Sequence, residues 1–155
     1  MKIELKACPA QRPPPTPVRG RKELSRAADK EVCVALVFSH DESLMRVIGD
    51  GLGAAWMVNR CVDPTRLRAV LAKRGTKIVV VDDSAIEETT RGWVLDQIRR
   101  WAPQALVAYL ASNHTTETER RARSHRVHYY VAKPLDHDRI VSVLRAFAKA
   151  VGLTV

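Results

Sequence analysis

The chain has 155 residues, 46% of them hydrophobic, which is the size of one domain with enough apolar side chains for a continuous core. Its longest apolar runs, such as residues 32–38, fall far short of the roughly 20 residues that cross a bilayer. The start Met1-Lys2-Ile3-Glu4-Leu5-Lys6 builds no secretory leader, so a cytoplasmic protein with no membrane partner is expected. The formal net charge is +9, but residues 1–30 carry eight Lys/Arg against three Asp/Glu, so the rest of the chain is only mildly basic and makes a poor nucleic-acid platform.

Residues 1–30 hold Pro9, Pro13, Pro14, Pro15 and Pro17 among scattered basic residues, without sustained periodicity. Such a segment cannot offset its ordering entropy by burial, and it reads as a basic, disordered arm with at most a short helix over 23–30. A single domain is expected over 31–155. Cys8, Cys33 and Cys61 are odd in number and lack a Cys-x-x-Cys pair, so they read as reduced thiols, with Cys33 filling core space.

From Val32 short apolar runs alternate with helix-period segments, the pattern of βα units around a parallel sheet. Strands are predicted over 32–38, 55–61, 77–82, 105–111 and 127–132. Between them, Leu44, Val47, Ile48 and Leu52 form one helical stripe. Leu67, Val70 and Leu71 form a second, opened by Asp63 as N-cap and Pro64 at the first position. Val94, Leu95, Ile98 and Trp101 form a third stripe that stops before Pro103, and Ile140, Leu144, Phe147 and Val151 form the last. The segment 116–126 has Ala122 as nearly its only apolar residue, so it should be the least anchored helix. Trp56, Trp93 and Trp101 read as packing residues. Five such units imply a doubly wound (βα)5 α/β fold, a five-stranded parallel sheet whose chemistry gathers at the carboxyl ends of the strands.

Those ends carry Ser39, His40, Asp41 and Glu42 after the first strand, Asp82 and Asp83 after the third, Ser112 and Asn113 after the fourth, and Lys133-Pro134 after the fifth. A carboxylate so placed can accept a phosphoryl group, and an ammonium beside it can neutralise the transferred oxygens. Over residues 32–152 the sequence resembles a bacterial response-regulator receiver domain, with a flavodoxin-like fold. Four stretches carry the resemblance: Lys77-Ile78-Val79-Val80-Val81-Asp82, Tyr129-Tyr130-Val131-Ala132-Lys133-Pro134-Leu135, the third helix from Gly92 to Pro103, and Asp41-Glu42-Ser43-Leu44. The resemblance implies that Asp82 is the phosphoacceptor, Lys133 the phosphoryl-binding lysine and Tyr130 the switch aromatic, with a cis Lys133-Pro134 bond.

The departures surround the same pocket. Ser39 and His40 stand where receivers have the acidic pair that binds magnesium. The switch hydroxyl is displaced by one residue, from Ala111 to Ser112. The stretch between Asp82 and Gly92 is about two residues longer than in the family, with Ile86 where proline is common. Magnesium, which needs several oxygen ligands, would be held only weakly, through Asp82 and Asp41. With the acidic pair gone, Lys133 is expected to pair directly with Asp82.

The expected function is a receiver-like signalling protein in a phosphorelay or allied pathway, with a degenerate, or pseudo-receiver, site. It is expected to be non-enzymatic, since no Gly-rich phosphate loop or nucleophile elbow is present. With no output domain expected after the last helix, its effect should pass to a regulatory protein, to a histidine kinase or through a homodimer, and Arg120, Arg121, Arg123 and Arg126 offer a surface for an acidic partner. The alternatives are a conventional regulator phosphorylated at Asp82 and a nucleic-acid-associated protein using the basic arm.

Overall fold

β1 (Cys33–Phe38), β2 (Trp56–Cys61), β3 (Thr76–Asp82), β4 (Leu106–Ala111) and β5 (Tyr129–Ala132) form one parallel sheet in the order β2-β1-β3-β4-β5. The structure, a computed structural model, describes residues 32–73 and 75–152. The arm over 1–30, its short helix and Cys8 lie outside the described residues. Helices alternate with the strands: α1 (Glu42–Leu52), α2 (Leu67–Leu71, entered through a 3₁₀ turn at Pro64–Arg66), α3 (Glu88–Trp101), α4 (Thr116–Ser124) and α5 (His137–Ala150). This is the doubly wound arrangement expected from the alternation of runs.

The strand period of two sorts the core into two layers. Leu36, Phe38, Val79, Val81, Val107 and Tyr109 point to one side and pack with Leu67 and Leu71 of α2, Val94, Leu95 and Ile98 of α3, and Ala122 of α4. Val37, Ile78, Val80, Ala108 and Leu110 point to the other and meet Leu44, Ile48 and Leu52 of α1 and Ile140, Leu144 and Ala148 of α5. Asp41, Asp63 and Asp136 cap the segments they precede, each accepting backbone N–H groups with its side chain. Strand order reverses between β1 and β3, so the carboxyl ends of those two strands form the topological switch point of the sheet.

Four details differ from the sequence expectations. α3 starts at Glu88, so residues 88–91, expected in the connection, form its first turn, and Ile86 is a 5% exposed core residue before it. Trp93 is 46% exposed, because the buried stripe of α3 runs through Val94, Leu95 and Ile98 and leaves the preceding residue facing outward. β5 begins at Tyr129 instead of Val127: the His128 amide donates to the Val107 carbonyl, but the Val107 amide donates to the His128 ring at Nδ1, 3.0 Å, so an imidazole fills a ladder position. α4 ends at Ser124, because Arg126 adopts φ 61° and Arg99 gathers the carbonyls of His125, Arg126 and Ala105.

Two glycines test the backbone directly. Gly75 has φ +104°, and a Cβ there would stand 2.9 Å from the Val32 carbonyl oxygen, whereas helical Gly49 has open space around it. Gly75→Ala should lower the unfolding free energy by about 2 kcal/mol, and Gly49→Ala should raise it by about 0.5–1 kcal/mol through helix propensity. Urea denaturation followed by far-UV circular dichroism measures both.

Candidate functional site

Three strand ends converge on one carboxylate. Asp82 closes β3 at 1% exposure, and the chain turns immediately into a 3₁₀ turn, Asp83–Ala85. That turn aims the Ser84 amide at Asp82 Oδ1, 3.1 Å, and the Ser84 hydroxyl at the same oxygen, 2.6 Å. Past β5, Lys133 brings Nζ to 2.8 Å from Asp82 Oδ1 and 3.0 Å from Ser84 Oγ. Past β1, the Ser39 hydroxyl donates to Asp82 Oδ2 at 2.8 Å and accepts the Asp41 amide at 3.0 Å. The Lys133-Pro134 peptide is cis.

Burial pushes the Asp82 carboxyl up. The hydrogen bonds from Lys133, Ser84 and Ser39, with the Lys133 charge, outweigh it and hold the group below its ordinary value. The carboxylate is therefore ionised, buried and engaged by four donors, three on Oδ1 and one on Oδ2, an arrangement that stabilises its charge.

The pleat turns the next residue the other way. Asp83 is fully buried, on the α3 and α4 side of β3. Its Oδ1 accepts the Ser112 amide at 2.6 Å, its Oδ2 accepts the Tyr109 hydroxyl at 3.2 Å, and Arg91 Nη1 stands 3.5 Å from Oδ2. Burial, and next the Asp83 charge, hold the Tyr109 hydroxyl well above its ordinary value, so it stays protonated and donates. Tyr130 stacks on Tyr109, with ring centroids 5.8 Å apart and 6° between planes, and its hydroxyl lies 3.1 Å from His114 Nδ1.

Of the residues expected at the site, the structure brings Asp82, Lys133 and Ser39 together. His40 is exposed and contributes its carbonyl, which with that of Ser39 accepts from Arg60 on β2. Ser112 is exposed and joins through its backbone N–H, to Asp83 rather than Asp82. Tyr130 belongs to the Asp83 side. In the arginine cluster, Arg120 and Arg121 lie 3.4 and 3.9 Å from Glu117 and Arg123 lies 2.7 Å from Glu119, so much of that charge is balanced within α4. Arg126 lies beyond the helix. Sequence reasoning missed Ser84, Arg91 and Tyr109. Ser84 carried a signal in Asp-x-Ser spacing at a strand end, which favours an Asx turn.

The donor set does not fit a magnesium ion. The ammonium of Lys133 sits on Asp82 Oδ1, Asp41 is turned to the first turn of α1 and accepts from Ser43 and Leu44, and Asp83 faces Tyr109. Among the described residues no group of three or more His, Cys, Asp or Glu side chains is placed to hold a metal.

No protein-family model matches the sequence, and no curated protein matches it. Solved structures do match in shape. A response regulator from Thermotoga maritima is similar at TM-score 0.65 and 15% identity, over 76% of this chain and 98% of that one. The receiver domain of an HD domain-containing protein from Pseudomonas fluorescens is similar at TM-score 0.64 and 17% identity, over 76% and 95%. A protein assigned to pilus assembly, CpaE from Burkholderia thailandensis, is similar at TM-score 0.61 and 22% identity, over 76% and 98%. The chain has the receiver fold. In this receiver frame Asp82 lies at the end of the third strand and Lys133 just past the fifth, as the sequence resemblance implies. No described helix is long and apolar enough to cross a membrane.

Lys133→Met leaves the buried Asp82 charge without its cation and should destabilise the domain by about 3–5 kcal/mol. Adding Asp82→Asn to it should recover a large share, a coupling that urea titration of the two single variants and the double variant measures. Since the folded Asp82 carboxyl lies below its unfolded value, its contribution is full above the unfolded value and is lost as pH falls through the folded one. Asp82→Asn should therefore flatten the acid limb of the stability–pH curve.

Proposed function

We propose that this protein is a receiver-fold signalling module, of a phosphorelay or allied regulatory pathway, that acts through protein contacts with Asp82 held as a structural ion and not as a phosphoacceptor. The observation that carries the reading is the closure of Asp82: 1% exposure, with Lys133, Ser39 and both donors of Ser84 directed at it. Phosphoryl transfer to an aspartate needs a free carboxylate oxygen in line with the donor and cations to neutralise the transferred charge. Here the lysine that would supply the charge is already bound to the nucleophile, and Ser39 and His40 replace the carboxylates that would bring a metal.

The partner is a regulatory protein or a histidine kinase that reads the surface. α4 is a candidate part of that surface, since every arginine on it is exposed and Ala122 alone is buried. Similar structures described as response regulators and as pilus assembly proteins share the frame, which supports a frame used for contact in more than one setting.

Incubation with acetyl phosphate and magnesium, followed by intact mass measurement, tests the reading. Wild type and Asp82→Asn should both remain at their unmodified mass. A magnesium-dependent gain of one phosphoryl group in wild type, absent in Asp82→Asn, would establish the conventional regulator instead.

A further inference from the structure

Asp83 is a second buried carboxylate that the Asp82 site does not use. It is fully buried, and its partners come from three separate elements: Arg91 from the first turn of α3, Tyr109 from β4, and the amide of Ser112 from the segment that joins β4 to α4. Arg91 also donates to the carbonyls of Asp83 and Ile86, so the guanidinium is fixed on both its anion and the turn that carries it. The 2.6 Å contact from Ser112 is a short bond to a carboxylate oxygen.

Ser112 opens the segment leading to α4, and α4 has Ala122 as its sole buried residue, so its packing anchor is slight. Arg99 and Asp96 hold the far end of α4 at His125 and Arg126, so the amino end of the segment is positioned by what bonds Ser112 and His114. Tyr109, bonded to the same carboxylate, stacks on Tyr130, which reaches His114 in the same segment. Ser112 and His114 are thus both tied, directly or through two aromatic rings, to Asp83, while neither has a hydrogen bond to Asp82.

We infer that Asp83 is a built-in anion that pins the β4–α4 segment and the Tyr109–Tyr130 pair in one arrangement, independently of the state of Asp82. The inference rests on the reading of Asp82 as unreactive and supplies its regulation: the surface at α4 is permanently set by a carboxylate of the chain, and no added anion is needed to set it. Asp83 acts here as a positioning residue.

Backbone hydrogen exchange by NMR on the ¹⁵N-labelled full chain tests this, comparing wild type, Asp83→Asn and Asp82→Asn. In Asp83→Asn the Ser112 amide should exchange at least about tenfold faster than in wild type, as expected when a charge-assisted bond is weakened to a neutral one, and the signals of His114, Tyr130 and α4 should shift or broaden. In Asp82→Asn, and in wild type treated with acetyl phosphate and magnesium, Ser112 protection and those signals should stay as they are. Unchanged Ser112 protection in Asp83→Asn, or an equal loss in Asp82→Asn, would overturn the inference. Should Asp83→Asn fail to fold, wild type alone decides: a Ser112 amide that exchanges as fast as that of exposed Asn113 overturns it, and one at least about tenfold slower supports it. The mass of the same treated sample separates the two readings. A phosphorylated Asp82 with Ser112 still protected removes the reading of Asp82 and leaves Asp83 as the pin, and a phosphorylated Asp82 with Ser112 released removes both.

Discussion

A strand buried on both faces that ends in two consecutive acids has nowhere to send either one into water. β3 is such a strand: Ile78 to Val81 are fully buried, Asp82 is 1% exposed and Asp83 is 0% exposed. Burying a carboxylate costs several kcal/mol unless a cation and hydrogen bonds meet it, and the pleat forces the two to be met separately. Asp82 takes Lys133, Ser39 and Ser84; Asp83 takes Arg91, Tyr109 and the Ser112 amide. The segments after β1, β4 and β5 and the start of α3 are thereby all tied to the tip of β3. β2 joins through Arg60, which binds the carbonyls of Ser39 and His40. The carboxyl edge of the sheet carries two polar clusters, one around each of these charges.

Much of this frame was legible in the sequence, because apolar period, caps and short connections are local properties. Val79-Val80-Val81 reads as a strand covered on both sides, and Asp63 with Pro64 announces the segment it caps. What was not legible depends on contacts made far along the chain. Val127 has the composition of a strand residue, but the ring of His128 takes the ladder position beside it. Trp93 counts as apolar in any tally, but α3 packs through Val94, Leu95 and Ile98, which leaves it facing outward. Within the site, the convergence of Asp82 and Lys133 followed from strand ends. The partners of Asp83 did not, since Tyr109 and Ser112 lie 26 and 29 residues away and no local pattern links them to it.

A tethered ammonium and a diffusible metal stabilise a buried carboxylate in different ways. A metal site with several carboxylates carries excess negative charge that only the ion relieves, so its geometry depends on the ion's presence. At Asp82 a single carboxylate faces a single ammonium, and Ser39 adds a donor where another charge would add repulsion. The pair is electrically balanced without any ligand, and its ordering entropy is met once, at folding. Such a site gains little from binding a cation and loses a buried ion pair if it releases its lysine.

The same balance bears on anions. A phosphoryl group on Asp82 would bring additional negative charge into a buried pocket whose nearest cation is already neutralised. Arg60 is already engaged by the carbonyls of Ser39 and His40 and by Glu42, and Arg91 lies on the far side of β3 against Asp83. Three of the four donors sit on Oδ1 and one on Oδ2, so a group on Oδ2 would require Ser39 to give up its bond, and a group on Oδ1 would require Lys133 to move and the Ser84 turn to open. Each change breaks a contact that holds a strand-end segment in place, so on the proposed reading the closure of Asp82 and the rigidity of the edge have the same cause. A two-state switch requires two arrangements of comparable free energy. With Asp82 and Asp83 both fully partnered, one arrangement has the contacts and the other would have to replace them, which favours a fixed recognition surface built on the receiver frame.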